Sequence, residues 1–250
     1  MDLGIAGRRA IVAAGTAGLG LATAQALADE GALVAVCGRN PDRLDAAVAA
    51  LGPDAVGIVA DLSQPDGAVA FAEQAEDRLG GTIDIVVANA GGPPPGLPTT
   101  TSLDEYRYAL ELNSLSTIAL VHAVIGAMRE QRWGRVLAIT SIGARQPIVN
   151  LAASSAARAA TTSFIKNLAT EVGRDNVTAN TIQPGLHATD RVRALHGGSS
   201  PADQARGIPL GRLGDAADFG AVAAFLCSEP ANFITGAALI VDGGASGGLQ

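Results

Sequence analysis

The chain has 250 residues, of which 48% are hydrophobic and only 3% aromatic. This length suits one large α/β domain over residues 1–250, with a core of Ala, Val, Leu and Ile rather than aromatic rings. A net charge of −7 argues against a basic surface that could follow phosphates, so no nucleic-acid partner is expected.

The cysteines and the N-terminal segment indicate a cellular location. Cys37 and Cys227 are far apart and lie in apolar runs, which predicts buried free thiols in a reduced compartment. The first fifteen residues lack the order of a signal peptide, and the sequence shows no apolar stretch of 18 residues. We therefore expect a soluble, cytoplasmic protein without a membrane partner.

Short apolar runs alternate with alanine-rich helical stretches along most of the chain. The predicted strands are residues 10–14, 33–37, 56–60, 83–88, 136–140, 177–182 and 238–241. The predicted helices lie near residues 18–30, 41–51, 65–79, 103–131, 150–173 and 215–228. Continuous apolar strands are typical of a parallel sheet covered on both faces. The pattern predicts one doubly wound, Rossmann-type α/β domain with a seven-stranded parallel sheet.

A glycine-rich loop follows the first predicted strand and opens a helix. Its candidate binding residues are Gly15, Thr16, Gly18, Leu19 and Gly20. Glycines at such a place let backbone N–H groups approach a pyrophosphate, and the helix N-terminus adds positive potential. The context of strand, loop and helix favours a dinucleotide site over a merely structural turn.

The end of the second predicted strand bears on the choice of cofactor. Dinucleotide folds often place an acid there for the ribose 2′-hydroxyl, whereas this chain has Gly38, Arg39 and Asn40, with no acid before Asp42. A forked guanidinium suits a 2′-phosphate, which favours NADP(H) over NAD(H). A solvated surface arginine is the alternative interpretation of Arg39.

Further motifs follow the later strands in a fixed order. They are Asp61-Leu62, Asn89-Ala90-Gly91, Asn113, Ser141, Pro184-Gly185 and Thr189. Spread over some 230 residues together with the glycine loop, they resemble the short-chain dehydrogenase/reductase family. The general likeness is greatest to 3-oxoacyl-(acyl-carrier-protein) reductases, which implies a small carbonyl or alcohol substrate such as a 3-oxoacyl thioester. The C-terminal ITGAALIVDGG resembles the strand through which such proteins pair into homotetramers.

The resemblance also implies roles for these residues. Asp61 and Leu62 would contact the adenine, residues 89–91 the cofactor, and residues 184, 185 and 189 the nicotinamide carboxamide. Asn113 would hold a water in a proton relay, and Ser141 would hydrogen-bond the substrate carbonyl. Asp61, Asn89 and Asn113 could instead cap or bridge backbone groups. The family's first loop glycine is Ala14 here, and we expect Gly15 to restore the turn. No metal site is predicted.

The active-site pair of the family is absent. Its tyrosine is replaced by Ser154 and its lysine by Arg158. A serine hydroxyl is a far weaker acid than tyrosine, while Arg158 keeps a positive charge that could hold ribose hydroxyls. Three functions stay open: a reductase with a weakened proton relay, an NADP(H)-binding protein without redox catalysis, and a non-redox enzyme using Ser141, Ser154 and Arg158 as an anion-binding cluster.

Few other residues could supply the missing proton. Aromatic packing is the favoured role of Tyr106 and Tyr108, and Lys166 lies two helical turns beyond Arg158. His187 could face the nicotinamide, although an incidental loop histidine is the simpler interpretation. Residues 186–207 are predicted to be a flexible segment on the substrate side, and they carry no motif that names a substrate.

Overall fold

The computed structural model describes residues 1–195 and 200–248. Seven strands lie in this part of the chain: β1 (Arg9–Val12), β2 (Leu33–Gly38), β3 (Val56–Val59), β4 (Ile85–Ala88), β5 (Gly134–Ile139), β6 (Val177–Pro184) and β7 (Ala238–Val241). All neighbouring strands pair in parallel, and their order across the sheet is β3-β2-β1-β4-β5-β6-β7. This is the order of a doubly wound sheet.

Helices cover both faces of the sheet. Those in the described residues are α1 (Gly18–Asp29), α2 (Pro41–Leu51), α3 (Pro65–Leu79), α4 (Leu103–Leu110), α5 (Ser116–Glu130), α6 (Ala152–Val172), α7 (Asp190–Leu195), α8 (Pro201–Gln204) and α9 (Ala216–Leu226). One buried cluster includes Phe71, Val124 and Ile165, and a second, on the other face, includes Leu27 and Phe219. The predicted Rossmann-type fold with a seven-stranded parallel sheet is confirmed.

The carboxyl ends of the parallel strands share one edge of the sheet, and the predicted functional segments leave the sheet there. Residues 13–17 follow β1, residues 38–40 end β2, residues 89–91 follow β4, Ser141 follows β5, and residues 185–189 follow β6. Ligands of open α/β sheets bind at this edge, beside the point where the strand order reverses. The topology therefore gathers motifs that are far apart in sequence.

The helix predicted over residues 103–131 is interrupted. Between α4 and α5 the chain makes a π-helical turn at Glu111–Leu115. The hydroxyls of Ser116 and Thr117 donate to the main-chain oxygens four residues back, and such bonds locally loosen a helix. Turns of this kind often mark functional sites, and this one carries Asn113.

The same helical run corrects the prediction that no apolar stretch of 18 residues exists. Leu103–Glu130 contains an 18-residue window with a mean hydropathy of 1.4, so by length and composition alone it could cross a membrane. About half of this window, 44%, is buried inside the fold, including Leu120, Val121 and Val124 against the sheet. A core helix passes the same test, so the run is weak evidence for a membrane span.

The predicted irregular segment at 186–207 contains regular structure. The helices α7 and α8 lie in it, followed by a 3₁₀ turn at Ala205–Gly207, and residues 196–199 lie outside the described residues. The Ser200 side chain caps α8 and Pro201 occupies its first turn, which is why a short helix forms there. A cavity of about 490 Å³ lies against this segment, lined by residues that include Ala188, Ala205 and Leu213.

Candidate active site

The glycine loop is built on a strained alanine. Ala14 has φ = +47°, the left-handed conformation that glycine adopts freely and that costs other residues roughly 1–2 kcal/mol. The expectation that Gly15 restores the turn is wrong: Ala14 itself takes the left-handed conformation, and Gly15 lacks a positive φ. The carbonyl of Ala14 accepts a 3.3 Å bond from Asn89 Nδ2, which joins the β1 and β4 turns. A β-carbon at Gly20 would lie 2.6 Å from both atoms of this bond.

The N-terminus of α1 is arranged to receive an anion. No side chain caps the helix at Ala17, and its first turn contains no acid. A β-carbon at Gly18 would lie 3.6 Å from Thr189 Cγ2, so Thr189 of the segment after β6 stands beside the loop. Open N–H groups at the positive end of a 12-residue helix suit a pyrophosphate, and the residues present therefore fit a dinucleotide.

The end of β2 leaves one arginine available to a ligand. A β-carbon at Gly38 would lie 2.6 Å from Thr16 Cγ2, so Thr16 covers the place where an acidic side chain would begin. Arg39 is exposed and makes no ion pair within the described residues. Asn40 instead caps α2, since its side-chain oxygen accepts from Arg43 N at 2.8 Å.

The two residues of the motif after β3 differ in burial, since Asp61 is exposed and Leu62 is buried. The exposed carboxylate of Asp61 accepts a 2.9 Å bond from Ser63 N, and this bond, assisted by the charge of Arg39, lowers the pKa of Asp61. The Leu62 side chain packs in the core beneath the sheet. An adenine at this edge would therefore meet Asp61 and backbone rather than the leucine side chain.

The Ser141 hydroxyl is oriented by its own backbone. Ser141 follows β5, and its Oγ accepts a 3.0 Å bond from the N–H of Gly143 at the start of a 3₁₀ turn. Within the described residues the hydroxyl proton of Ser141 has no acceptor, so it is available to a substrate carbonyl. Ser155 Oγ, which sequence reasoning missed, is buried beside this turn, 3.1 Å from where a β-carbon on Gly143 would be.

The Ser154–Arg158 pair forms a buried clamp on the main chain. Both side chains lie on α6, both residues are 9% exposed, and Arg158 Nε donates to Ser154 Oγ at 3.3 Å. The remaining bonds of the guanidinium go to the carbonyls of Ile139 at 3.0 Å, Thr140 at 2.7 Å and Ala90 at 3.4 Å. These bonds use four of the five N–H groups of an arginine. Arg158 thus joins the β4 turn to the end of β5.

Arg158 keeps its charge at neutral pH. Burial, and secondly the charge of Arg191, lower the pKa of Arg158 to about 10. A guanidinium with this pKa is still protonated near pH 7, so it supplies positive potential and does not release a proton. The hydroxyl oxygen of Ser154 accepts a hydrogen bond from this guanidinium group.

Asn113 is buried, but its main-chain oxygen is already occupied. It accepts from Thr117 Oγ1 at 3.0 Å and from Thr161 Oγ1 at 2.9 Å. The side-chain Nδ2 donates to Ala109, while Oδ1 is buried without a partner. The atom that could hold a water is therefore the side-chain oxygen. Sequence reasoning missed Thr161, although it lies three residues after Arg158 on the same helix.

The other proton-donor candidates have contacts of their own. The His187 ring is 3% exposed, with Nδ1 3.2 Å from Gly185 O, and packs edge-on against Phe219 at 5.1 Å between centroids. Burial is the main cause of its lowered pKa. Tyr106 packs against alanines of α4 and α6, and Lys166 Nζ donates to Gly236 O at 3.1 Å. Each of these three side chains is therefore engaged in packing or in a bond to the main chain.

The remaining predicted site residues end β6 and continue toward α7. Pro184 ends the strand, and the N–H of Gly185 donates to Val241 O of β7 at 2.9 Å. A β-carbon at Gly185 would lie 2.6 Å from Asp242 Cβ, which accounts for glycine at this crossing. The segment thus reaches Thr189 beside the glycine loop.

Comparison with known proteins agrees with this arrangement. A family model described as "Enoyl-(Acyl carrier protein) reductase" matches residues 13–246. The chain is 33% identical over 242 residues to the 3-oxoacyl-[acyl-carrier-protein] reductase FabG of Vibrio cholerae, covering 97% of this chain and 98% of that protein.

Solved structures show the same fold with cofactors bound. L-sorbose reductase of Gluconobacter frateurii, complexed with NADPH and L-sorbose, superposes with a TM-score of 0.91 at 31% identity over all of both chains. A 7α-hydroxysteroid dehydrogenase complexed with NADH and 7-oxo glycochenodeoxycholic acid also gives 0.91 at 31% identity, covering 100% of this chain and 98% of that one. Together with the fold and the ordered motifs, these similarities show that the chain belongs to the short-chain dehydrogenase/reductase family of oxidoreductases.

Proposed function

We propose that the protein is an NADP(H)-dependent reductase of small carbonyl compounds with a weakened proton relay. The observation that carries this proposal is the Ser141 hydroxyl, oriented by Gly143 at the strand edge that also bears the pyrophosphate cradle. L-sorbose reductase and 7α-hydroxysteroid dehydrogenase, which share the fold, are complexed with NADPH and NADH respectively. Arg39 favours NADP(H) here, because it is exposed and has no acid beside it on β2.

The chain's own residues orient the substrate and stabilise charge. A reduced nicotinamide, when bound, would supply the hydride to the carbonyl carbon. Ser141 donates its hydrogen bond to the carbonyl oxygen, and Arg158, bonded to the neighbouring Thr140, provides positive potential for the developing oxyanion. Water then protonates this oxygen, because Ser154 is a weak acid whose oxygen accepts from Arg158.

The expected turnover is slow. A positioned general acid contributes about 10²–10⁴ in rate, equivalent to roughly 3–5 kcal/mol, and this contribution is missing. Holding the two reactants in contact can supply about 7–11 kcal/mol, which does not depend on the missing tyrosine. Reduction without a protein acid is therefore slow, and it depends mainly on positioning.

A second candidate is an NADP(H)-binding protein without redox catalysis. It is favoured because groups of the expected proton relay are already bonded within the protein. Arg158 donates to three main-chain carbonyls, and Thr117 and Thr161 donate to the main-chain oxygen of Asn113. The third possibility, an anion-binding cluster of Ser141, Ser154 and Arg158, is less favoured because only one guanidinium N–H is left for a ligand.

We also propose that residues 1–250 act as one nucleotide-binding domain in the cytoplasm. The two cysteines are buried as free thiols, and burial raises the pKa of each to about 12, as suits a reducing compartment.

One set of measurements separates these functions. NADPH and NADH are titrated by calorimetry, and NADPH oxidation is followed against a panel of ketones, a sugar ketone and a 3-oxoacyl thioester. The reductase proposal expects oxidation that falls at least tenfold in Ser141→Ala and is unchanged in Ser163→Ala, an exposed serine of α6. Tight NADPH binding with no oxidation would favour the second candidate, and absence of binding would overturn both.

A further inference from the structure

Two arginines meet the same loop from different elements. Arg158 of α6 donates through Nη2 to the carbonyl of Ala90 at 3.4 Å, and Arg191 of α7 donates through Nη2 to the carbonyl of Pro93 at 2.9 Å. Ala90 and Pro93 are three residues apart, so their Cα atoms are at most roughly 11 Å apart. The loop after β4 thus lies between two guanidinium groups.

The approach of Arg191 explains a glycine in this loop. A β-carbon at Gly92 would lie 2.7 Å from Arg191 Nη2 and 3.1 Å from its Cζ. The guanidinium therefore lies against the main chain of Gly92, and a larger residue there would push it away. Gly92 and Pro93 are thus the two residues of this loop that contact the Arg191 side chain.

The two charges lack compensating carboxylates. Within residues 1–195 and 200–248, neither Arg158 nor Arg191 forms an ion pair, whereas Arg193, two residues along α7, pairs with Asp190. The charge of Arg191 also helps to lower the pKa of Arg158, as expected for neighbouring like charges. The chain carries a net charge of −7, yet no carboxylate of the described residues neutralises these two cations.

Arg158 lies next to the serine expected to orient the substrate, and Arg191 contacts the same loop after β4. Arg158 bonds the carbonyl of Thr140, the residue before Ser141, so its charge is adjacent to the group that orients the substrate. In the proposed function, the phosphates of a dinucleotide are bound by the open N–H groups at the start of α1 and by the exposed Arg39. Arg191 therefore has no assigned anion.

We infer that the substrate is a small oxo acid, whose carboxylate is bound by Arg191 beside the reacting carbonyl while Arg158 adds a second positive charge. This inference rests on the proposed reductase function and names its substrate class. It excludes a long acyl thioester, which has no negative charge near the carbonyl. A guanidinium suits a carboxylate because it can donate two parallel hydrogen bonds to the two oxygens.

The test compares acids with their neutral esters. 2-Oxobutanoate and 3-oxobutanoate are each assayed against the methyl ester with NADPH, and binding of each acid is titrated with and without NADP⁺. We expect the wild-type protein to favour an acid at least tenfold in kcat/KM. The more electrophilic ester of the 2-oxo acid would react faster by intrinsic reactivity alone.

Two variants assign the preference to Arg191. Arg191→Gln should lose at least tenfold in acid affinity with NADPH affinity unchanged, while Arg193→Gln, which removes the same charge from the same helix, should behave as wild type. If Arg191→Gln fails to fold, the comparison of acid with ester in the wild-type protein still tests whether an oxo acid is the preferred substrate.

Several results would overturn the inference. Equal or faster reduction of esters would leave the reductase intact but remove the oxo-acid specificity. Weakened NADPH binding in Arg191→Gln with an unchanged acid preference would assign Arg191 to the cofactor. NADPH binding without any acid binding, in the absence or presence of NADP⁺, would refute the substrate class, and failure of NADPH itself to bind would refute the proposed function.

Discussion

Restoring the missing acid is expected to raise the rate of reduction. In the double variant Ser154→Tyr with Arg158→Lys, a phenol would stand where Ser154 now accepts from the guanidinium, beside an ammonium that lowers its pKa. Full general acid catalysis contributes about 10²–10⁴. We expect a gain of about tenfold or more, a fraction of that range, because Ser154 is 9% exposed and the surrounding residues are not shaped around a ring.

The substitution has a calculable cost in stability. Arg158 satisfies three main-chain carbonyls, and the three donors of a lysine diverge from one atom instead of lying in a planar fork. One carbonyl left without a partner costs about 1–3 kcal/mol, so the free energy of unfolding should fall by about that amount. Ser154→Tyr alone should gain less activity, because the forked guanidinium holds the phenol in the wrong geometry.

The assay is NADPH oxidation with a small activated ketone, with cofactor affinity and urea unfolding measured for each variant. Measuring affinity separates a change in chemistry from a change in ribose contacts. A double variant that folds and binds NADPH normally yet reduces no faster would refute the reasoning, and a redox-inactive role would then be the better account.

Three further predictions concern binding and assembly. Arg39→Ala should weaken NADPH binding by up to about fivefold, since an exposed charge pair is worth about 0.2–1 kcal/mol, and should leave NADH binding unchanged in calorimetry. Equal losses for the two cofactors would reject the NADP(H) preference. Gly20→Ala should abolish cofactor binding because its β-carbon would collide with Ala14 O and Asn89 Nδ2, whereas Gly126→Ala, with open space around it, should bind normally. The edge strand β7, with Leu239 40% exposed, should be covered in a homotetramer. Native mass spectrometry that shows only monomer at micromolar concentration would contradict this.

The sheet and its motifs could be predicted from the sequence because they depend on local order. Continuous apolar strands, alternation with helices and the glycine loop each occupy a few consecutive residues, and the parallel topology then brings strand ends together. The π-helical turn could not be predicted in this way, because it depends on bonds that link Asn113 and Ser114 to α6.

The contacts of Arg158 and Arg191 could not be predicted from the sequence either. The main-chain acceptors of Arg158 lie 18 to 68 residues away, and that of Arg191 lies 98 residues away. Only the folded chain shows that one guanidinium clamps the main chain while the other lies over Gly92. Likewise, Ala14, which has a left-handed conformation, is bonded across the sheet edge to Asn89, 75 residues away in sequence.

Hydride transfer itself is the most direct test of the proposed function. NADPH carrying deuterium at its transferable position is incubated with the protein and a carbonyl substrate, and the product is examined by mass spectrometry and NMR. A reductase places deuterium on the carbinol carbon, at a rate that falls at least tenfold in Ser141→Ala. Saturating NADPH binding with no deuterium in any product would contradict the proposal that this chain is a reductase.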